Sequence, residues 1–143
     1  MKILVVDDEF VSRKKMKKIM ETFGKCEAVN SGSGAMIAFR RAWENRDPFD
    51  VIALDISMPE MDGKEVLLKI RQIEREGKFP GEKQVKILMV TSHSDKDTII
   101  TCIQTGCDDY IVKPFDREIV AKKLEKLGFK SREQRTRSSF FII

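Results

Sequence analysis

Short apolar runs alternate with amphipathic stretches along the chain. Residues 3–6 and 51–54 are continuously apolar, which is typical of strands buried on both faces of a sheet. Between such runs, apolar residues recur at helical spacing, as at Met16, Ile19 and Phe23. The pattern predicts five strands that alternate with five helices. The strand candidates are residues 3–6, 26–29, 51–54, 85–90 and 110–112.

Residues that favour helix ends stand at the boundaries of these elements. Asp62 and Asp116 precede the third and fifth helices, and Ser94 or Asp95 precedes the fourth, where their side chains can cap the helix. Glycine follows three of the helices, at residues 24, 106 and 128. Polar residues 74–84 predict a surface loop, and residues 128–143 match no element.

Strands that alternate with helices indicate right-handed βαβ units. Such units build a parallel sheet covered by helices on both faces, so we expect an α/β, doubly wound fold with a five-stranded sheet, (βα)5. The 143 residues suit one domain, and their 41% hydrophobic and 35% charged content argues against disorder. Three cysteines and one histidine favour neither a disulfide framework nor a zinc site, so a reducing cytoplasm is the expected location.

The positive charge is concentrated at the carboxyl end. The formal net charge is +4, residues 121–143 contribute +5, and the other 120 residues therefore sum to −1. This distribution is not the footprint of a nucleic-acid-binding domain. The chain also has no apolar run of about 20 residues, so we expect no membrane insertion.

Polar side chains directly follow four of the predicted strands. Asp7 and Asp8 follow the first strand, Asp55 the third, Thr91 the fourth and Lys113 the fifth. In an open parallel sheet, ligands bind beyond the carboxyl ends of the strands. We therefore expect these residues to meet at one edge of the sheet.

Carboxylates crowded together repel each other unless a cation joins them. Mg²⁺ is bound through one or two carboxylates together with phosphate oxygens, and a lysine and a hydroxyl can hold further oxygens of the same group. The set is therefore typical of phosphoryl transfer, with a carboxylate as a possible nucleophile. Taken singly, an aspartate at a strand end is usually a helix cap or a turn residue, and a lone threonine or lysine there indicates little.

Four stretches of the sequence resemble response-regulator receiver domains of the CheY-like kind. They extend in order over residues 2–127 and read VVDDE at 5–9, DISMPEMDG at 55–63, ILMVTS at 87–92 and DYIVKPF at 109–115. The resemblance implies a flavodoxin-like strand order of 2-1-3-4-5. It implies a receiver domain at residues 1–127, followed by a basic and apolar tail at residues 128–143.

The resemblance also implies a role for each matching residue. Asp55 would be the phosphoacceptor, with Thr91 and Lys113 contacting the phosphoryl group. Mg²⁺ would be held by Asp7, Asp8, Asp55 and the backbone carbonyl of Ser57. Thr91 and Tyr110 would form the switch, and the Lys113–Pro114 peptide bond would be cis.

A receiver of this kind acts in two-component signal transduction rather than as an enzyme that turns over a metabolite. It would take a phosphoryl group from a histidine kinase or a histidine phosphotransfer protein. The surface formed by its fourth helix, fifth strand and fifth helix would then change and bind a downstream effector or a second copy. The tail starts after the fifth helix, so we expect it to modify this surface.

Two other functions are compatible with parts of the sequence. A phosphatase of the haloacid-dehalogenase kind also forms an aspartyl phosphate, but its two aspartates lie two residues apart, unlike the adjacent Asp7 and Asp8. Alternatively, the chain is a receiver cut from a longer regulator with a DNA-binding output domain. The residues after Gly128 are too few to fold such a domain.

Overall fold

Five strands and six helices lie within the part of the chain that the computed structural model describes, residues 1–77, 84–92 and 96–142. The strands are β1 (Lys2–Val6), β2 (Lys25–Val29), β3 (Val51–Asp55), β4 (Lys86–Thr91) and β5 (Asp109–Val112). The helices are α1 (Phe10–Glu21), α2 (Gly32–Glu44), α3 (Gly63–Glu76), α4 (Lys96–Thr105), α5 (Arg117–Lys126) and α6 (Arg132–Ile142). None of the helices in these ranges has the length and apolar character needed to cross a membrane.

The strands form one parallel sheet in the order β2-β1-β3-β4-β5, which confirms the predicted fold. Alternate residues of the central strands enter two separate cores. Leu4 and Ile52 pack with α2 and α3, whereas Ile3 and Val51 pack with α1 and α5. These four side chains are all 0% exposed, which explains why β1 and β3 need continuous apolar runs.

Two of the predicted helix caps are confirmed. The Asp62 carboxylate accepts a hydrogen bond from Glu65 N, and the Asp116 carboxylate accepts one from Ile119 N. The prediction that Ser94 or Asp95 caps α4 concerns residues outside the described ranges. Gly63 begins α3 so close to β3 that an added Cβ would lie 2.2 Å from the Asp55 carbonyl oxygen. Only glycine therefore allows the chain to pass so close to the end of β3.

The predicted loop at residues 74–84 is wrong at its start, because α3 continues to Glu76. Glu74 is buried and pairs with Arg71, which also bonds Asp108 and the Gly106 carbonyl. The second oxygen of Glu74 accepts a hydrogen bond from Val85 N. Glu74 therefore connects α3 to β4, and its partner Arg71 connects α3 to the turn before β5. Residues 78–83 of the predicted loop lie outside the described ranges.

The prediction that residues 128–143 match no element is also wrong, because α6 forms there. Ser131 and Gln134 cap its start reciprocally, each side chain accepting a hydrogen bond from the backbone N–H of the other residue. Arg132 N donates to Thr22 O, and the Arg135 guanidinium donates to Phe23 O. These bonds attach α6 to the turn between α1 and β2, and Gln134 Nε2 also donates to Glu125 on α5 at 2.7 Å. The expectation that the tail modifies the α4–β5–α5 surface stays a prediction.

Candidate functional site

The carboxyl ends of β1, β3, β4 and β5 bring the predicted polar residues together. Asp55 is the last residue of β3 and lies opposite Val90 in the register, while Thr91 ends β4 opposite Val112. Lys113 follows β5 directly, and its backbone N–H donates to the Thr91 carbonyl at 2.7 Å. The parallel register therefore fixes Asp55, Thr91 and Lys113 at one edge of the sheet.

Three carboxylates form an acidic cluster at this edge. Oxygen atoms of Asp7, Asp8 and Asp55 all lie within 4.8 Å of one another. Asp7 and Asp55 are buried, each 4% exposed, whereas Asp8 is exposed. Backbone N–H groups orient the buried pair: Glu9 N donates to Asp7 at 2.9 Å, and Ser57 N donates to Asp55 at 3.3 Å.

Lys113 supplies a cation to this cluster. Its Nζ lies 3.0 Å from Asp7 Oδ2 and 3.4 Å from Asp55 Oδ2. Asp7 is therefore the nearer of the two partners of this ammonium. The Lys113–Pro114 peptide bond is cis.

Burial and charge oppose each other at Asp55. Burial is the main cause that raises the pKa of Asp55 to about 6, and the neighbouring Asp7 carboxylate adds to it, while Lys113 acts in the opposite direction. Burial alone would lower the pKa of Lys113, but its hydrogen bond to Asp7 and the charge of Asp55 outweigh burial and raise it. One lysine therefore does not neutralise the carboxylates fully.

The donor set suits a hard divalent cation. All three side chains of the cluster offer carboxylate oxygens, which Mg²⁺ prefers over nitrogen or sulfur. Asp8 is exposed, so the cluster is accessible from solvent on that side. A dication would also relieve the repulsion from Asp7, which adds to burial in raising the pKa of Asp55. Asp7, Asp8 and Asp55 therefore fit a magnesium site.

The remaining predicted residues lie around this cluster. Ser57 is exposed and lines an open cleft of about 610 Å³ together with Thr91 and Lys64. Thr91 is 5% exposed. Tyr110 is half-buried on β5 and lies opposite Met89 of β4. Met89 is two residues before Thr91, so Tyr110, Met89 and Thr91 lie on the same face of the sheet.

Two basic residues of α1 that sequence reasoning did not assign to the site also support it. Arg13 donates from its guanidinium to the Asp7 carbonyl at 3.0 Å. Lys15 donates to the Phe115 carbonyl, in the loop that follows Lys113. The signal for both is their place in the first two turns of α1, because helix side chains lean toward the N-terminus and therefore toward the site.

Comparison with known proteins gives a consistent result. The family model for the response regulator receiver domain matches residues 3–125. The chain is 33% identical over 128 residues to chemotaxis protein CheY1 of Helicobacter pylori, a match that covers 87% of this chain and 94% of that protein. It is 35% identical over 127 residues to hybrid signal transduction histidine kinase L of Dictyostelium discoideum, a match that covers 89% of this chain but only 7% of the kinase.

A solved structure resembles the fold closely. The match is to the CheX-CheY-BeF3-Mg²⁺ complex of Borrelia burgdorferi, with a TM-score of 0.75 and 26% identity. It covers 91% of this chain and 90% of that one. The likeness therefore extends over nearly all of the sheet and its surrounding helices.

Proposed function

The chain belongs to the response regulator receiver family, and from that membership we propose that it accepts a phosphoryl group on Asp55 in two-component signalling. One observation carries the choice of residue. Asp55 is a buried carboxylate bonded to Lys113 at the end of the central strand β3, with carboxylate oxygens of two further aspartates within 4.8 Å. The other acidic residues of the cluster come from the β1 end and lie around it.

The proposed reaction is a phosphoryl transfer between a donor histidine and this carboxylate. An oxygen of Asp55 attacks phosphorus, an O–P bond forms, and the P–N bond to the donor breaks. The histidine leaves as an imidazole that takes up a proton. Catalysis of this kind depends on positioning and on neutralising charge. Lys113 neutralises the phosphoryl oxygens, and the Thr91 hydroxyl donates a hydrogen bond to one of them.

Asp7, Asp8, Asp55 and the Ser57 carbonyl would hold Mg²⁺. When bound, the ion neutralises charge that builds up on the phosphoryl oxygens. The solved relative from Borrelia burgdorferi is a complex with BeF3 and Mg²⁺, which supports this assignment. The chain's own contribution is to hold Asp7 and Asp55 in place through the backbone N–H groups of Glu9 and Ser57.

The output of the reaction would be a change in shape at α4, β5 and α5. Thr91 turns toward the new phosphoryl group, and Tyr110 then rotates into the space beside it. A rearrangement between two packings turns a small movement into a discrete one. This surface carries exposed Ile100 and Ile103 on α4 and exposed Ile119 on α5, which are suited to binding another protein.

Within this proposal, residues 1–127 form the receiver and residues 128–143 an extension that docks on it through α6. The donor is a histidine kinase or a histidine phosphotransfer protein, and the acceptor of the signal is an effector or a second copy of the chain. The protein acts as a switch in the cytoplasm and not as an enzyme with a metabolite substrate. Its three cysteines are free thiols, which suits a reducing compartment.

The test is covalent labelling by a small acyl phosphate. Incubation with acetyl phosphate and Mg²⁺ should add one phosphoryl group to the intact protein, measured by mass spectrometry. Asp55→Asn removes the anionic nucleophile and should abolish the added mass. Asp62→Asn is the matched control, because asparagine still caps α3 and the carboxylate only lines the neighbouring cleft. Equal labelling of Asp55→Asn and wild type would overturn the assignment.

The same reagents separate this function from an aspartyl-phosphate phosphatase. A phosphatase of the haloacid-dehalogenase kind would release many equivalents of phosphate from a phosphomonoester per protein molecule. A receiver would take up a single phosphoryl group from an acyl phosphate and leave the phosphomonoester intact. Release of phosphate in many turnovers would therefore favour the phosphatase.

A further inference from the structure

Tyr110 is the only tyrosine of the chain, and a lysine of the next helix holds its ring. The Lys123 ammonium lies over the Tyr110 ring, 4.9 Å from the ring centroid. Tyr110 packs against the core on the α2 and α3 side of the sheet, whereas α5 packs on the other side. Because β5 is an edge strand, Lys123 reaches the ring around the open edge of the sheet.

Asp109 fixes the position of this ammonium. Its Oδ1 accepts hydrogen bonds from Lys123 Nζ at 2.9 Å and from Tyr110 N at 2.8 Å. One carboxylate oxygen thus binds the backbone of Tyr110 and the cation that covers its ring. Burial would raise the pKa of Asp109, but the bonds from Lys123 and the Tyr110 backbone outweigh burial and lower it, so Asp109 stays ionised.

The two neighbouring lysines of α5, Lys122 and Lys126, are more exposed than Lys123. Lys126 approaches the same carboxylate, but its Nζ is 3.7 Å from Asp109 Oδ2 and its side chain is 75% exposed. Lys122 pairs with Glu118 on the helix surface. Lys123, at 28% exposed, is held more firmly than either. Lys123 therefore differs from Lys122 and Lys126 in its position on the helix, which places its ammonium over the Tyr110 ring, and not in its charge.

We infer that Lys123, held by Asp109, is a positioning residue that keeps the half-buried Tyr110 ring under its ammonium, here called the outer position, until Asp55 is phosphorylated. The inference rests on the proposed function, because it concerns the switch that phosphorylation of Asp55 would operate. Inward rotation of the ring breaks the contact with the ammonium. Because the ring is only half-buried, a cation over it contributes about 0.5–1 kcal/mol, which corresponds to a two- to fivefold change in the ratio of outer to inner positions.

The single tyrosine gives a direct measurement. The full chain is labelled with 3-fluorotyrosine, and the one fluorine resonance is recorded before and after addition of BeF3⁻ and Mg²⁺. The spectrum with BeF3⁻ and Mg²⁺ defines the inner position. Three variants are then compared in the metal-free state: Lys123→Gln removes the cation, Lys123→Arg keeps it, and Lys126→Gln removes an equal charge that does not cover the ring.

Lys123→Gln should move the resting resonance toward the BeF3⁻ position and increase the inner population about two- to fivefold. Lys123→Arg and Lys126→Gln should stay at the wild-type position. A resting resonance that is the same in Lys123→Gln as in wild type overturns the inference, and so does an equal shift in Lys126→Gln. A wild-type resonance that does not respond to BeF3⁻ and Mg²⁺ overturns both the inference and the proposed switch, while the labelling of Asp55 is tested separately by mass.

Discussion

Lys113 Nζ lies 3.0 Å from Asp7 Oδ2, so the lysine at the end of β5 binds the carboxylate at the end of β1 across the intervening strands. Its bond to Asp55, at 3.4 Å, is the longer of the two. The ammonium is therefore shared between the two carboxylates and lies closer to Asp7 than to Asp55, the proposed nucleophile. A phosphoryl group on Asp55 would compete with Asp7 for this ammonium.

That competition predicts how Lys113 contributes to the switch. In Lys113→Met, Asp55 should still accept a phosphoryl group from acetyl phosphate and Mg²⁺, because the carboxylate itself is unchanged. The fluorine resonance of Tyr110 should respond less to phosphorylation, since the cation that senses the new charge of about −1.5 to −2 is absent. Lys113→Arg keeps a cation and is the control. An undiminished Tyr110 response in Lys113→Met would contradict this role.

The acidic cluster predicts that Mg²⁺ stabilises the unphosphorylated protein. At a concentration of 100 times its Kd, a ligand that binds only the folded state adds about 2.7 kcal/mol to the free energy of unfolding. Asp8→Asn should lose most of this gain, whereas Glu9→Gln, next to it and bonded to Ser12, should keep it. Urea unfolding with and without Mg²⁺ measures both. An Asp8→Asn variant stabilised as much as wild type would exclude Asp8 as a principal ligand.

The positions of the strands and of the polar residues that follow them could be predicted from local patterns, whereas the order of the strands in the sheet was implied by the family resemblance. Val51 to Leu54 must be apolar to be buried on both faces, and Asp55 follows them at the strand end. Helix caps such as Asp62 act within three residues. Where one or two adjacent residues determine a feature, the sequence alone is sufficient.

Features that depend on distant partners were missed. Glu74 appears as one charge in a polar stretch, and only the fold shows that Arg71 and Val85 N bind it. The start of α6 did leave a local signal, since Ser131 and Gln134 have the spacing of a capping box. No series of apolar residues at helical spacing follows it, so the hydrophobic pattern does not predict a helix there. The docking of α6 on Phe23, 112 residues earlier, has no local signal.

The raised pKa of Asp55 predicts a pH dependence of stability in EDTA. Folding raises this pKa from 3.8 to about 6, so the folded protein holds the proton more tightly than the unfolded chain. The contribution of this group is therefore fully present below pH 3.8 and is lost as the pH rises through about 6. The loss should amount to about 1–3 kcal/mol.

Asp55→Asn should remove that part of the pH dependence, since the amide does not titrate. Unfolding in urea between pH 4 and pH 7.5, followed by circular dichroism, gives the free energy at each pH. Asp116→Asn is the control, because asparagine keeps the cap on α5 and Asp116 is exposed. Parallel pH profiles for Asp55→Asn and wild type would show that Asp55 does not titrate in this range.

The buried pair of Arg71 and Glu74 predicts a large cost for removing one partner. Arg71→Met leaves the Glu74 carboxylate buried and without its cation, and the side chains of the pair are only 5% and 3% exposed. Breaking such a pair typically costs about 3–5 kcal/mol. Arg75→Met, an exposed position on the same helix, should cost less than about 0.5 kcal/mol. Equal urea midpoints for the two variants would contradict a structural role for the pair.

The attachment of α6 predicts that one arginine of the extension stabilises the domain and another does not. Arg135 donates a hydrogen bond to the Phe23 carbonyl at 2.8 Å, just past the carboxyl end of α1. A cation at that position also interacts favourably with the negative end of the helix dipole. Arg135→Met should lower the free energy of unfolding by about 1 kcal/mol. Among the described residues, Arg137 pairs with Glu133 on the surface of the same helix, so Arg137→Met should cost about 0.3–0.5 kcal/mol or less. If urea unfolding shows the same loss for both variants, the bond to Phe23 contributes nothing and α6 does not stabilise the receiver through it.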